Sequence, residues 1–172
     1  MGLFQAFRKN TREKQNTPAA VLAVTACLSG RVVPMENIPD PAFSEGILGP
    51  CAGIEPPDGA GECALVSPVT GVVTQCSDTG HAVGITCGET EILLHAGIDT
   101  VEMQGEGFTL LVQPGDTVEQ GQPLLRMDAE KIRAAGHPAM VITIVTETAG
   151  TVSFSAAEEI RTGDTLLTVT VS

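Results

Sequence analysis

A chain of 172 residues, 42% of them hydrophobic, is long enough for one domain with a sizeable core. Its 21 acidic and 9 basic residues give a formal net charge of −12, which argues against a nucleic-acid surface built on a basic patch and suits a basic protein partner. No stretch is apolar for long enough to span a bilayer; 19 glycines, 11 prolines, no tryptophan or tyrosine, and short Val/Ile/Leu/Thr runs between turn signals predict a mostly β architecture.

The charge is uneven along the chain. Arg8, Lys9, Arg12 and Lys14 face only Glu13 in the first 14 residues, so that segment carries +3 and the remainder −15. Leu3, Phe4 and Phe7 sit at helical spacing beside this basic cluster. Two readings stay open: an amphipathic helix resting on anionic lipid, or an unstructured soluble tail. Ala6 stands where a myristoylation signal needs Ser or Thr, which argues against acylation of Gly2. Residues 1–18 are therefore expected to form a tail and 19–172 a single domain.

After Pro18 the turn punctuation becomes regular: SG at 29, PD at 39, PPDG at 56, SDTG at 77, PGD at 114 and TGD at 162. Strands are predicted between these turns, over 20–25, 29–34, 51–54, 62–66, 70–75, 81–86, 90–95, 108–113, 122–127, 140–146, 150–154 and 164–171. DAEKIRAAG reads as a helix, with Asp128 able to cap its start and Gly136 able to end it. A shorter helical turn is expected at Pro41 to Glu45. SPVTGVV at 67 is echoed by ETAGTVSF at 147, and GDTVEQGQPLL at 115 by GDTLLTVTV at 163. This faint repeat predicts an all-β antiparallel sandwich of two similar halves, with one or two short helices.

The segment EILLHAGIDTV ends an apolar run on His95 and follows it with Gly97 and Asp99. An imidazole at the end of a buried strand is a titratable nucleophile on a rigid base, as phosphoryl chemistry on histidine requires. His81, in SDTGHAVGI, lies 14 residues upstream, a spacing that lets two antiparallel strands and a turn bring the rings side by side. Two histidines on neighbouring strands can also be satisfied core residues. The pair, the glycine and Thr79 together favour chemistry.

These residues resemble the glucose-type enzyme IIA proteins of the bacterial phosphoenolpyruvate-dependent sugar phosphotransferase system. The resemblance runs from MGLF through LSGRVVPMENIPDPAF, SPVTGVV, both histidine segments and GEGF to GDTLLTV. Ala96, Glu89 and Gly80 depart from the family's usual residues. The resemblance implies a barrel-like sandwich of duplicated hybrid-motif type acting as a phosphocarrier, a phosphotransferase component without a cofactor. On its terms His95 accepts the phosphoryl group at Nε2, the Gly97 carbonyl takes the Nδ1 proton of His95, and His81 stabilises the group, oriented by Thr79. The donor would be the small carrier HPr, and the acceptor a cysteine on the IIB domain of a sugar permease. Phe43, Ile47 and Val83 match family positions that form an apolar partner surface, though each also reads as ordinary core, Val83 the more readily so; Asp99 reads as a further contact, for a partner's arginine, or as a turn residue. Relatives with this kind of N-terminus are held near their membrane permease by it, so the expected location is the cytoplasm, with residues 1–15 able to touch the inner membrane face. A different class of function also fits: a regulatory binding protein whose phosphorylation state controls permeases or metabolic enzymes.

Competing chemistries are weaker. Lipoyl and biotinyl carriers share the GD-x-V-x-x-G hairpin but attach the cofactor to a lysine at an exposed β-turn. The lysines here are Lys9, Lys14 and Lys131, the last inside the predicted helix. A zinc peptidase needs three protein ligands; His81 and His95 could hold zinc only weakly, and His137 before Pro138 reads as a helix-end or surface residue. Cys27, Cys51, Cys63, Cys76 and Cys87 form no CxxC pair and read as reduced, inert thiols.

Overall fold

A computed structural model describes residues 20–171. The N-terminal segment and both readings of it lie outside the described residues. Fourteen strands follow in order: β1 (Ala20–Thr25), β2 (Gly30–Pro34), β3 (Cys51–Glu55), β4 (Glu62–Val66), β5 (Gly71–Cys76), β6 (Ala82–Cys87), β7 (Thr90–Ala96), β8 (Phe108–Leu110), β9 (Thr117–Val118), β10 (Pro123–Asp128), β11 (Val141–Glu147), β12 (Thr151–Phe154), β13 (Glu159–Ile160) and β14 (Thr165–Val171). Helix α1 spans Pro41–Ser44 and α2 spans Ala129–Ala134. The fold is the antiparallel β-sandwich expected, with short helices.

An eight-stranded sheet runs β13-β2-β3-β11-β7-β6-β5-β9, and two three-stranded sheets run β1-β14-β12 and β4-β10-β8. Strand alternation sets the layers. Inner-face residues of the large sheet, such as Ile54, Val83, Ile85, Ile92, Leu94 and Val141, form one buried cluster with Val24, Leu65, Leu125, Met127 and Leu167 of the small sheets. The alternate residues face the other way. Val33, Cys51, Ile142 and Ile144 form a second cluster, closed by Ile38, Phe43, Ile98 and Met140.

The repeat has a structural counterpart. Gly115 and Gly163 both take positive φ, +95° and +92°, in turns where the next residue's carboxylate accepts a backbone N–H three residues back: Gln113 for Asp116, Arg161 for Asp164. The Gly115 N–H donates to the Val73 carbonyl and the Val73 N–H to the Asp116 carbonyl; Gly163, Ala26 and Asp164 repeat the exchange. Each turn leads on to the central strand of a three-stranded sheet, β10 or β14.

Two strands, β9 and β13, were not expected. Each is two residues long at an edge of the large sheet, too short for periodicity to register, and such short edges leave little template for aggregation. The strand predicted over 108–113 ends at Leu110, because the chain turns into the Gln113–Asp116 loop. α2 starts where expected, with the Asp128 carboxylate accepting the Lys131 N–H at 3.1 Å and Gly136 at φ +88° just past its end. Lys131 therefore lies in a helix and not at the tip of a β-turn.

Candidate functional site

β6 and β7 form a hairpin closed by Gly88 and Glu89 between the paired residues Cys87 and Thr90. That register places Ala82 opposite His95, and the Ala96 N–H donates to the His81 carbonyl at 2.7 Å. The two rings meet edge to face, centroids 5.0 Å apart at 79°. β7 is central in the large sheet, with β11 on its other side presenting Ile142 opposite His95. Since Ile92, Leu94 and Ala96 point inward, Leu93 and His95 point outward, to the second cluster. Phe43 packs on the His95 ring at a centroid distance of 5.3 Å. The short α1 that carries Phe43 is capped by Asp40, whose carboxylate accepts the Ala42 N–H at 2.9 Å.

His95 Nδ1 lies 2.7 Å from the Gly97 carbonyl. A carbonyl only accepts, so Nδ1 carries the proton and Nε2 keeps its lone pair. Gly97 holds this carbonyl through a backbone of φ +77°, and a Cβ there would fall 2.3 Å from Thr100 Cγ2. Thr100 is itself fixed, its hydroxyl donating to the Ala96 carbonyl at 2.6 Å. Gly97→Ala should cost at least about 2 kcal/mol and tilt the carbonyl from Nδ1. Urea unfolding reads the first effect and the His95 15N shifts read the second; a variant as stable as the wild type would refute the steric argument.

His81 is buried, and its Nδ1 lies 2.6 Å from the Thr79 hydroxyl and 3.3 Å from that of Ser77. Burial lowers the pKa of His81 below 6.5, and neighbouring His95 adds to the shift. Burial lowers that of His95 too, opposed by the Gly97 carbonyl and by Asp40 and Asp99. Both rings are thus neutral at pH 7. The unfolded chain binds protons first as pH falls, so this contribution to stability is fully present above about pH 6.5 and is lost as pH falls from there toward the folded values. Urea midpoints should drop between pH 7.5 and 5.5, and by less in His81→Gln; an equal drop in that variant would mean that His81 contributes nothing to the linkage.

Ile47 is exposed, and Asp99 is exposed in the left-handed region at φ +58°. Val83 is corrected: it pairs with Leu94 and is fully buried on the inner face, so it packs the core under the site and cannot touch a partner. Phe43 is 95% buried against His95 and offers only an edge. His137 lies outside the histidine pair, its Nε2 3.7 Å from Glu102. Among the described residues no group of three or more His, Cys, Asp or Glu side chains could hold a metal ion, so His81 and His95 lack a third protein ligand. Burial raises the Cys27 thiol to about 12 and that of Cys51 to about 11, which disfavours thiolate chemistry. Ser77 and Asp40 escaped the sequence reading. Ser77 is four residues before His81 and looks like any turn residue, and Asp40 reaches the site only because α1 folds over it.

The family described as phosphoenolpyruvate-dependent sugar phosphotransferase system, EIIA 1, matches residues 22–151. The glucose-specific EIIA component of Halalkalibacterium halodurans is 36% identical over 92% of this chain and 91% of its own length. The beta-glucoside-specific EIIBCA component of Bacillus subtilis is 42% identical over 77% of this chain, which spans only 21% of that longer protein. The structure of glucose permease IIA from Mycoplasma capricolum superposes with a TM-score of 0.79 and 28% identity, covering 87% of this chain and 96% of that one. No helix among the described residues is long and apolar enough to cross a membrane. With its antiparallel sandwich and paired histidines, the chain belongs to the EIIA type 1 family of the phosphoenolpyruvate-dependent sugar phosphotransferase system.

Proposed function

We propose that His95 is the phosphoacceptor of this EIIA component, loaded by phospho-HPr and unloaded onto a cysteine of a IIB domain. The Nδ1–H bond to Gly97 carries the reading, because it leaves Nε2 as the free nucleophilic lone pair. Nε2 attacks phosphorus in line as the donor's P–N bond breaks, and the donor imidazole leaves with the electron pair. In the second step a IIB thiolate attacks the same phosphorus and the His95 lone pair returns. His81, 5.0 Å away, donates to the equatorial oxygens and becomes cationic beside the dianion. Thr79 orients His81, and Gly97 fixes the tautomer of His95.

Phe43 and Ile47 give the site an apolar border, and Asp99 with neighbouring acids forms a rim that meets basic residues on the donor, for fast and salt-sensitive encounter. The fusion of related segments into EIIBCA polypeptides supports the IIB acceptor. Residues 19–172 act as the carrier domain in the cytoplasm, with residues 1–18 as a tail whose residues 1–15 are able to meet the membrane. The test is intact-protein mass spectrometry after incubation with phosphoenolpyruvate, enzyme I and HPr. One phosphoryl group, lost on brief acid treatment, is expected; no added mass would remove the carrier reading.

A further inference from the structure

We infer that Ser77 is a second positioning residue for His81, working with Thr79 to surround Nδ1 with two hydroxyls that can donate to the neutral ring and accept, more strongly, from the protonated one. The role rests on the carrier reading above. Ser77 is clamped to the residue that follows His81: its N–H donates to the Ala82 carbonyl at 3.0 Å, and its hydroxyl oxygen accepts the Ala82 N–H at 3.0 Å. One lone pair is thereby occupied and the hydroxyl hydrogen is left free, with Oγ 3.3 Å from Nδ1. Thr79 stands at 2.6 Å from the same nitrogen.

Two tautomers must coexist for the site to work. The Gly97 carbonyl holds a proton on Nδ1 of His95 at all times, because a carbonyl cannot donate. His81 needs the opposite arrangement, a proton on Nε2 for the phosphoryl oxygens, and so a lone pair on Nδ1. Hydroxyl donors on Nδ1 provide it. When the dianion arrives, a proton from water adds to Nδ1, and both hydroxyls rotate their hydrogens away and accept from the new N–H. The proton returns to water when the phosphoryl group leaves. A carboxylate in this place would hold His81 cationic, and an amide N–H would hold it neutral; only hydroxyls allow both states without moving the ring.

The charges around His81 leave this task to the hydroxyls. β7 presents His95, with Asp40 and Asp99 acting on that ring. β8 presents the uncharged Phe108 ring at 6.2 Å, and Asp78 in the same turn as Ser77 is exposed.

The experiment is 15N NMR of the histidines in the full chain, unloaded and loaded, with onward transfer followed against pH. In the unloaded wild type, Nδ1 of His81 should resonate as an unprotonated acceptor. Ser77→Ala should lower the His81 midpoint of the loaded protein by roughly half a pH unit, since a bond to the charged ring is lost. The alkaline fall of onward transfer should move down equally, and Ser77→Thr should restore both. Ser77→Asn keeps an acceptor for the Ala82 N–H but offers Nδ1 only amide donors, so it should lower the midpoint even if Ser77→Ala loosens the turn. Unchanged midpoints in both variants overturn the role. Failure of the wild type to load would overturn the carrier reading separately, and the tautomer shift of unloaded Ser77→Ala would still decide whether Ser77 acts on the ring.

Discussion

His95→Ala takes up no phosphoryl group from phospho-HPr, while its fold survives. Nε2 is the only atom in this site with both a lone pair forced free by its surroundings and a place on a rigid central strand. His81 does not substitute for it, because in the carrier reading its proton sits on Nε2, with the hydroxyls at Nδ1 able to donate to the lone pair left there, making a donor and not a nucleophile. Truncation removes a half-buried ring in contact with Phe43 and leaves the core beneath β7 intact, so a stability loss of about 1 kcal/mol is expected. Mass spectrometry should show complete loss of the acid-labile adduct, with a urea midpoint close to that of the wild type. Stoichiometric phosphate on the variant would sink the assignment.

His81→Gln separates the two half-reactions. Its side-chain amide still donates to the phosphoryl oxygens, so loading should stay within a few-fold of wild type. It cannot acquire charge. The group on His95 then departs without a cation to balance it, and onward transfer to the IIB cysteine should fall by roughly 10²-fold, in the range that a positioned acid contributes. Single-turnover transfer from preloaded protein measures this step alone. Equal onward rates would remove His81 from the mechanism and return it to the set of satisfied core histidines. Salt dependence gives a control, since both proteins should bind partners through the same acidic rim.

The strands that flank the site could be read because their signals are local. Alternation over β7, the length of β6 and β7 and the two-residue turn between them set a register that brings His81 and His95 together. α2 was equally legible, its cap and terminal glycine being neighbours in sequence. Val83 matches a family partner-surface position yet reads more readily as core, and parity within β6 sends it inward with Ile85. Strand parity alone predicts that Val83 and His95 lie on opposite faces, once the register is known.

The sequence by itself determined the all-β class, the two Gly-Asp turns, the histidine pair and, through its motifs, the family. The turns and the histidine pair depend on residues close in sequence, where backbone geometry fixes who meets whom, and the class and family on patterns that can be read along the chain without knowing its packing. The tertiary structure alone decided that β11, some 50 residues downstream, lines the other side of β7, and that α1 folds Phe43 and Asp40 over the nucleophile. Those contacts follow from which apolar faces bury one another, a choice made by the packing of the whole chain and not by any local run of residues.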